Sequence, residues 1–334
     1  MKRNILLLFT FFACITVQGQ TPVRLVDLRS EHLDRPIGLD NPVPRLSWRM
    51  EDGRQGAVQT SWRIVVDEDS LNVVNGCGRM WDSGKNDSRN QLVAYAGKKL
   101  QPFTRYYWKV ICSDMEYKET ASPVSYFETG MMGMQHWQGA WIGDGKDIHY
   151  GPAPYFRKEF KTGKKVKSAR AYIAAAGLYE LYINGEKVGD HCLAPLYTRF
   201  DRRNLYVAYD VTSQLQNGDN AIGVLLGNGW YNHQSKAVWD FDRAPWRNRP
   251  AFCLDLRITY TDGSVETIPT DLSWRNSAGA ITFNSIYTGE HYDARLEQKG
   301  WSTPEFDDSK WRGVAIGVYL LPMSLPSKYI PSVM

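Results

Sequence analysis

Phe252-Cys253-Leu254-Asp255-Leu256-Arg257-Ile258-Thr259-Tyr260 is the stretch that decides the fold. Its apolar side chains fall on the even positions, while Asp255, Arg257 and Thr259 fall on the opposite face. A period of two marks a strand with one face in a core and the other toward water. This predicts a half-buried strand. It runs into Thr261-Asp262-Gly263-Ser264, a hairpin signal, and then into Val265-Glu266-Thr267-Ile268. Outward from there, similar patterns predict strands over Ser61–Asp67, Arg105–Ser113, Pro154–Phe160, Ala169–Ala175, Tyr179–Asn184, Leu205–Tyr209 and Ala221–Leu226. No amphipathic stretch of helical spacing and useful length competes, and the best candidate is a short turn around Asp210 to Leu215. Many short strands separated by Gly, Asn and Asp turns imply an all-β chain of antiparallel sandwiches.

The pattern breaks at Thr129-Gly130-Met131-Met132-Gly133-Met134 and restarts in the aromatic-rich His136-Trp137-Gln138-Gly139-Ala140-Trp141-Ile142-Gly143. A first sandwich is therefore expected over 23–130 and a second over 137–315, the latter with long loops, notably Trp230 to Arg249. The chain of 334 residues has room for two or three compact domains. Its formal charge of +4 falls to +2 when Lys2 and Arg3 are set aside with a leader, which gives a nucleic-acid partner no support. Twelve Trp, 19 Tyr and 12 Phe make 13% of the chain, a content that suits both strand cores and surfaces that stack on flat ligands.

The first 20 residues read as an export signal: basic Lys2-Arg3, the apolar run Ile5 to Ala13, and small Gly19 where a peptidase would cut. Cys14 after Phe11-Phe12-Ala13 offers a lipid anchor instead, although a lipobox prefers Leu where Phe11 stands. Later segments are too short to form an apolar membrane span. The expectation is a periplasmic or extracellular protein. Cys77, Cys112, Cys192 and Cys253 form no CxxC, so neither zinc nor redox chemistry is indicated; they allow three full disulfide pairings or buried free thiols.

Several strings resemble one family. Pro36-Ile37-Gly38-Leu39-Asp40, Pro44-Arg45-Leu46-Ser47-Trp48, Trp81-Asp82-Ser83-Gly84-Lys85 and Thr104-Arg105-Tyr106-Tyr107-Trp108-Lys109-Val110 are similar to the fibronectin-like domain that opens many bacterial α-L-rhamnosidases of glycoside hydrolase family 78. Phe156-Arg157-Lys158-Glu159-Phe160, Gly177 to Gly185, Gly227-Asn228-Gly229-Trp230-Tyr231 and Tyr287 to Arg295 resemble the jelly-roll module that follows it. The resemblance implies a fibronectin-type-III-like sandwich followed by a jelly-roll, carbohydrate-binding-module-like sandwich. It also implies a C-terminal catalytic α/α barrel, carrying the acidic pair, which lies beyond this chain. After Trp311-Arg312 the text departs from the family's usual continuation, so 316–334 is expected to be an atypical tail from a truncated or frameshifted frame.

Hydrolysis of a glycoside usually needs two carboxyls about 5–9.5 Å apart. Glu290 with Asp293, Asp240 with Asp242, and Asp307 with Asp308 are the nearest pairs in sequence. Asp240 and Asp242 would share a face if they lay in a strand, but aspartates in such a loop serve mostly as turn formers. Glu290 to Arg295 reads as a structural knot in which Arg295 pairs with a carboxylate. No catalytic residue is assigned. Sugar binding has better support, because sugars rest C–H faces on aromatic rings and direct hydroxyls at amides and carboxylates. Asn228, Trp230, Tyr231, Trp239 and Asp240 lie at the end of an apolar strand and in the long loop after it. By the resemblance, Asn184, Asn228 and Asp240 are candidate ligands for a calcium ion, and Asn184 joins the candidate sugar-binding set. The expected partner is a rhamnose-containing polysaccharide or glycoside, together with the missing catalytic domain. The alternatives are an active rhamnosidase completed by that barrel, or scaffolding that binds no sugar.

Overall fold

The computed structural model describes residues 22–236 and 238–317. The leader, Cys14 and all of the expected tail except Ile316 and Gly317 lie outside the described residues. In the described chain nearly every element is an antiparallel strand, with one five-residue helix, Ser70–Val74, and short 3-10 turns. No helix among the described residues is long and apolar enough to cross a membrane.

In the first sandwich, Arg24–Ser30, Arg45–Glu51 and Leu92–Ala94 face a second sheet built on Ser61–Asp67 and Arg105–Ser113. The even positions of the longest strand, Tyr106, Trp108, Val110 and Cys112, enter a core shared with Leu46, Trp48, Trp62 and Phe127. Alternation in the sequence thus becomes a packed face.

The second unit packs two six-stranded antiparallel sheets face to face. Leu178–Ile183, Gly218–Gly227 and Pro154–Thr162 are central to one. Val166–Ala176 and Ala251–Tyr260 are central to the other. Phe156, Ile173, Leu181, Val224, Phe252, Leu254, Leu256 and Trp274 fill the space between them. Residues 298–311 lie against the outer face of the first sheet, where Tyr155 stacks on Trp301 at 4.5 Å and buried Arg157 pairs with Asp308 and Glu159. Ala315–Ile316 pairs with Ile142–Gly143, so Ile316, expected in the atypical tail, adds an edge strand to the sheet.

The strand Ala251–Tyr260 corrects one expectation. Its even face fills the core as read, but the other face is also largely covered, with Asp255 only 2% exposed. The segment after the first sandwich crosses that face, and the backbone N–H groups of Gln138 and Gly139 both donate to the Asp255 carboxylate at 2.8 Å. Burial pushes this carboxyl above its ordinary range despite those two donors. The neighbouring strand is covered on both faces too: Ile173 and Ala175 enter the main core, while Tyr172 and Ala174 pack with Tyr206 and Met131.

That second face joins the two sandwiches. Tyr206 Oη donates to Asp40 Oδ1 at 2.8 Å and accepts from the Met131 N–H at 3.0 Å. Arg170 forks onto Glu128 at 2.7 and 3.0 Å, and Phe103 packs edge-on to Tyr172 at 5.5 Å. All four cysteines described are free; Cys112 and Cys253 are buried, and their thiols meet Gln59 Oε1 and the Gly139 carbonyl.

Candidate functional site

At one end of the second sandwich, the loops after Gly218–Gly227 gather an aromatic cluster. Gly229 makes the first turn with φ +51°, and a Cβ there would stand 2.7 Å from Leu178 Cγ, so a side chain is excluded on both counts. The turn delivers Trp230 half-buried among Tyr197, Phe241 and Tyr287, with ring centroids 6.0, 5.3 and 5.4 Å away. His233 stacks on Trp230 at an interplanar angle of 13° and meets the edge of Tyr287. Its Nδ1 is buried without a hydrogen-bond partner, and burial holds the imidazole below its ordinary range. It is therefore neutral at neutral pH.

Trp239 and Asp240 both adopt the left-handed region, with φ 70° and 53°. For non-glycine residues this is a costly conformation, and two in succession define a tight projecting turn. Trp239 emerges from it 81% exposed, touching the cluster only through Phe241 at 6.5 Å. Asp240 beside it is exposed. Arg247 fastens this turn to the loop below, donating to the Asp242 carbonyl and to Asn232 Oδ1, both at 3.1 Å.

The remaining expected site residues lie elsewhere or are already engaged. Tyr231 is 1% exposed, packed on Phe200 at 5.1 Å, and its phenol is raised by burial, so it belongs to the core and presents no ring to a ligand. Asn228 is equally buried and ties the loop to Asn284 through its backbone N–H and its amide, at 2.7 and 3.0 Å. Its Oδ1 accepts from Asn232. Asn184 sits at the opposite end of the sheet, in the two-residue hairpin turn after Leu178–Ile183. Its Oδ1 accepts from the Ala221 N–H and its amide donates to Gln214 O and Asn220 Oδ1.

The strand register explains the separation. Ile183 pairs with Ile222 and Leu178 with Gly227, which puts Ala221 beside Asn184 and seven residues, about 23 Å, from Asn228. Calcium gathers six to eight oxygens within about 2.6 Å. Asn184, Asn228 and Asp240 do not fit that requirement, because the first two are at opposite ends and have their carbonyls engaged. Among the described residues no three His, Cys, Asp or Glu side chains are grouped to hold a metal ion.

The carboxyl pairs fare similarly. Asp240 and Asp242 lie in a 3-10 segment kinked at Trp239 and Asp240 and share no strand face. Arg295 pairs with Asp293, two residues away, at 2.6 Å, so the knot read from the sequence is a local clasp; the Asp293 N–H makes the longer tie, to Ala280 O at 2.8 Å. Asp308 holds Arg157. Tyr197, His233, Phe241 and Tyr287 belong to the cluster but escaped the sequence reading. Tyr197 and Tyr287 come from loops ninety positions apart and share no spacing signal with His233 and Phe241, which lie in the long loop 230–249.

Comparison with known proteins finds family matches over two stretches of the chain. Residues 25–133 match the family described as Rha78A-like, N-terminal immunoglobulin domain, and residues 164–328 match the alpha-L-rhamnosidase N-terminal domain. An alpha-L-rhamnosidase from Formosa agariphila is 34% identical over 92% of this chain, which spans 35% of that protein. One from an Alteromonas species is 31% identical over 89% of the chain and 33% of the relative. The solved alpha-L-rhamnosidase of Dictyoglumus thermophilum superposes with a TM-score of 0.84 at 36% identity, over 93% of this chain and 35% of that structure. The chain thus spans about a third of the length of the relatives it matches.

Proposed function

Because the chain belongs to the α-L-rhamnosidases of glycoside hydrolase family 78, as an N-terminal portion of them, we propose that it is a non-hydrolytic accessory region that binds rhamnose-containing glycans. The observation that carries this reading is Trp239. A large ring 81% exposed, held on two consecutive left-handed residues next to Phe241, is a costly arrangement for packing alone. An exposed ring next to a carboxylate, here Asp240, matches what a sugar ring requires, an apolar face to stack on and an acceptor for its hydroxyls. The methyl group of rhamnose adds apolar surface to such a contact.

The non-hydrolytic part of the reading is supported by the carboxyl pairs: Asp293 and Asp308 are bound to arginines, and Asp240 with Asp242 occupies a turn. In a longer protein, a catalytic domain would be the partner that this region supports. Calorimetric titration with L-rhamnose, with and without calcium, tests the binding. Heat of binding that disappears in Trp239→Ala supports it; silence in both conditions leaves scaffolding. Release of nitrophenol from an aryl α-L-rhamnoside by the purified chain would overturn the non-hydrolytic part.

A further inference from the structure

A second site lies between the sandwiches, remote from the aromatic loops. The covered face of Val166–Ala176 and Ala251–Tyr260 opens there into a cleft of about 470 Å³, within the ordinary range for small-molecule sites. Arg170 and Arg257 stand directly opposite each other across this strand pair. Like charges in that position repel, so each needs a counter-charge. Arg170 has Glu128 and, at 2.9 Å, Asp210. Glu128 is already shared with Arg105 at 3.0 Å. Arg257 has no ion pair among the described residues and rests over the Phe103 ring at 4.4 Å. Exposed Lys167, on the same rim, has none either. The cleft therefore carries four cationic side chains against Glu68 and Glu128.

The next register position adds hydroxyls. Ser168 and Thr259 oppose each other, and neither hydroxyl makes a hydrogen bond among the described residues. Half-buried Tyr107 supplies a ring at the wall. Unpaired cations, unused hydroxyls and an aromatic wall form a set that neither a neutral sugar nor a bare ion uses fully. We infer that this interdomain cleft binds an anionic saccharide, bearing a uronate carboxylate or a sulfate ester, with Arg257 and Lys167 as the partners of the anion. The assignment does not depend on the aromatic loops, and Trp239→Ala leaves it intact.

The test is calorimetry on the intact chain at low salt, with galacturonate, galactose 6-sulfate, galactose and inorganic sulfate as separate probes. At least one charged sugar binds about tenfold or more tightly than galactose, since a hydrogen bond to a charged group is worth that much, and more tightly than inorganic sulfate, which leaves Ser168, Thr259 and the Tyr107 ring unused. Which of the two binds better tells carboxylate from sulfate ester. Affinity falls as salt is raised. Arg257→Gln weakens the charged sugar about tenfold. Lys167→Gln, at an exposed position with no internal partner, weakens it about threefold with an unchanged unfolding midpoint, and it decides the matter if the arginine variant does not fold. Equal binding of galactose, equal binding of inorganic sulfate, no binding of either charged sugar, or indifference of both variants overturns the inference.

Discussion

Two aromatic residues eight positions apart, Tyr231 and Trp239, have opposite fates. Tyr231 is sealed against Phe200, so Tyr231→Ala should cost about 3 kcal/mol through the cavity it leaves, read as a fall in the denaturant midpoint. Trp239 projects into water, and Trp239→Ala should change stability by less than about 0.5 kcal/mol while abolishing rhamnose binding. Asp40 is the other telling residue. It accepts from Tyr206 and from the Met132 N–H at 2.8 and 2.7 Å, yet burial outweighs both and raises its carboxyl to about 6. With a folded value above the unfolded one, the native state binds the extra proton. Its contribution to stability is then fully present below about pH 4, falls as pH rises toward 6, and is lost above that. The change amounts to at most about 3 kcal/mol. Asp40→Asn should flatten this slope in urea melts taken between pH 4 and 7.

The hairpin at Asn184-Gly185 shows what one turn residue does for its element. Asn184 takes φ +50°, which asparagine tolerates better than most residues, and its amide joins three segments, ending at Gln214, Asn220 and Ala221. Asn184→Ala loses those bonds and strains the turn, at a cost of about 2 kcal/mol by thermal unfolding. Rhamnose affinity should be unaffected, because the residue is at the far end of the strand. A matching loss of sugar binding would place Asn184 in the site after all.

Across the whole molecule, the buried network Arg170–Glu128–Arg105 and the Tyr206–Asp40 bond join the sandwiches, so the chain should unfold in a single calorimetric transition. Glu128→Ala leaves a 9%-exposed arginine side chain without its main counter-charge, a loss of about 3 kcal/mol, and should split the transition in two. A single unshifted transition in that variant would show that the ion pair does not couple the domains.

How far the sequence carried depends on how local each question was. Period-two alternation is written into neighbouring residues, so the strands, their order, the hairpin at Asp262-Gly263 and the all-β class were legible before any coordinates. The family motifs extended that reading to an expected fibronectin-like sandwich followed by a jelly-roll module. Whether the second face of Ala251–Tyr260 meets water or another domain is not local, since alternation reports only that the two faces differ. Nor could sequence spacing reveal that Asn184 and Asn228 sit at opposite ends of one sheet, or that Tyr197, Trp230 and Tyr287 meet. Strand register sets the first and loop packing the second. Both arise from contacts between residues distant in the chain, and only the folded structure brings these together.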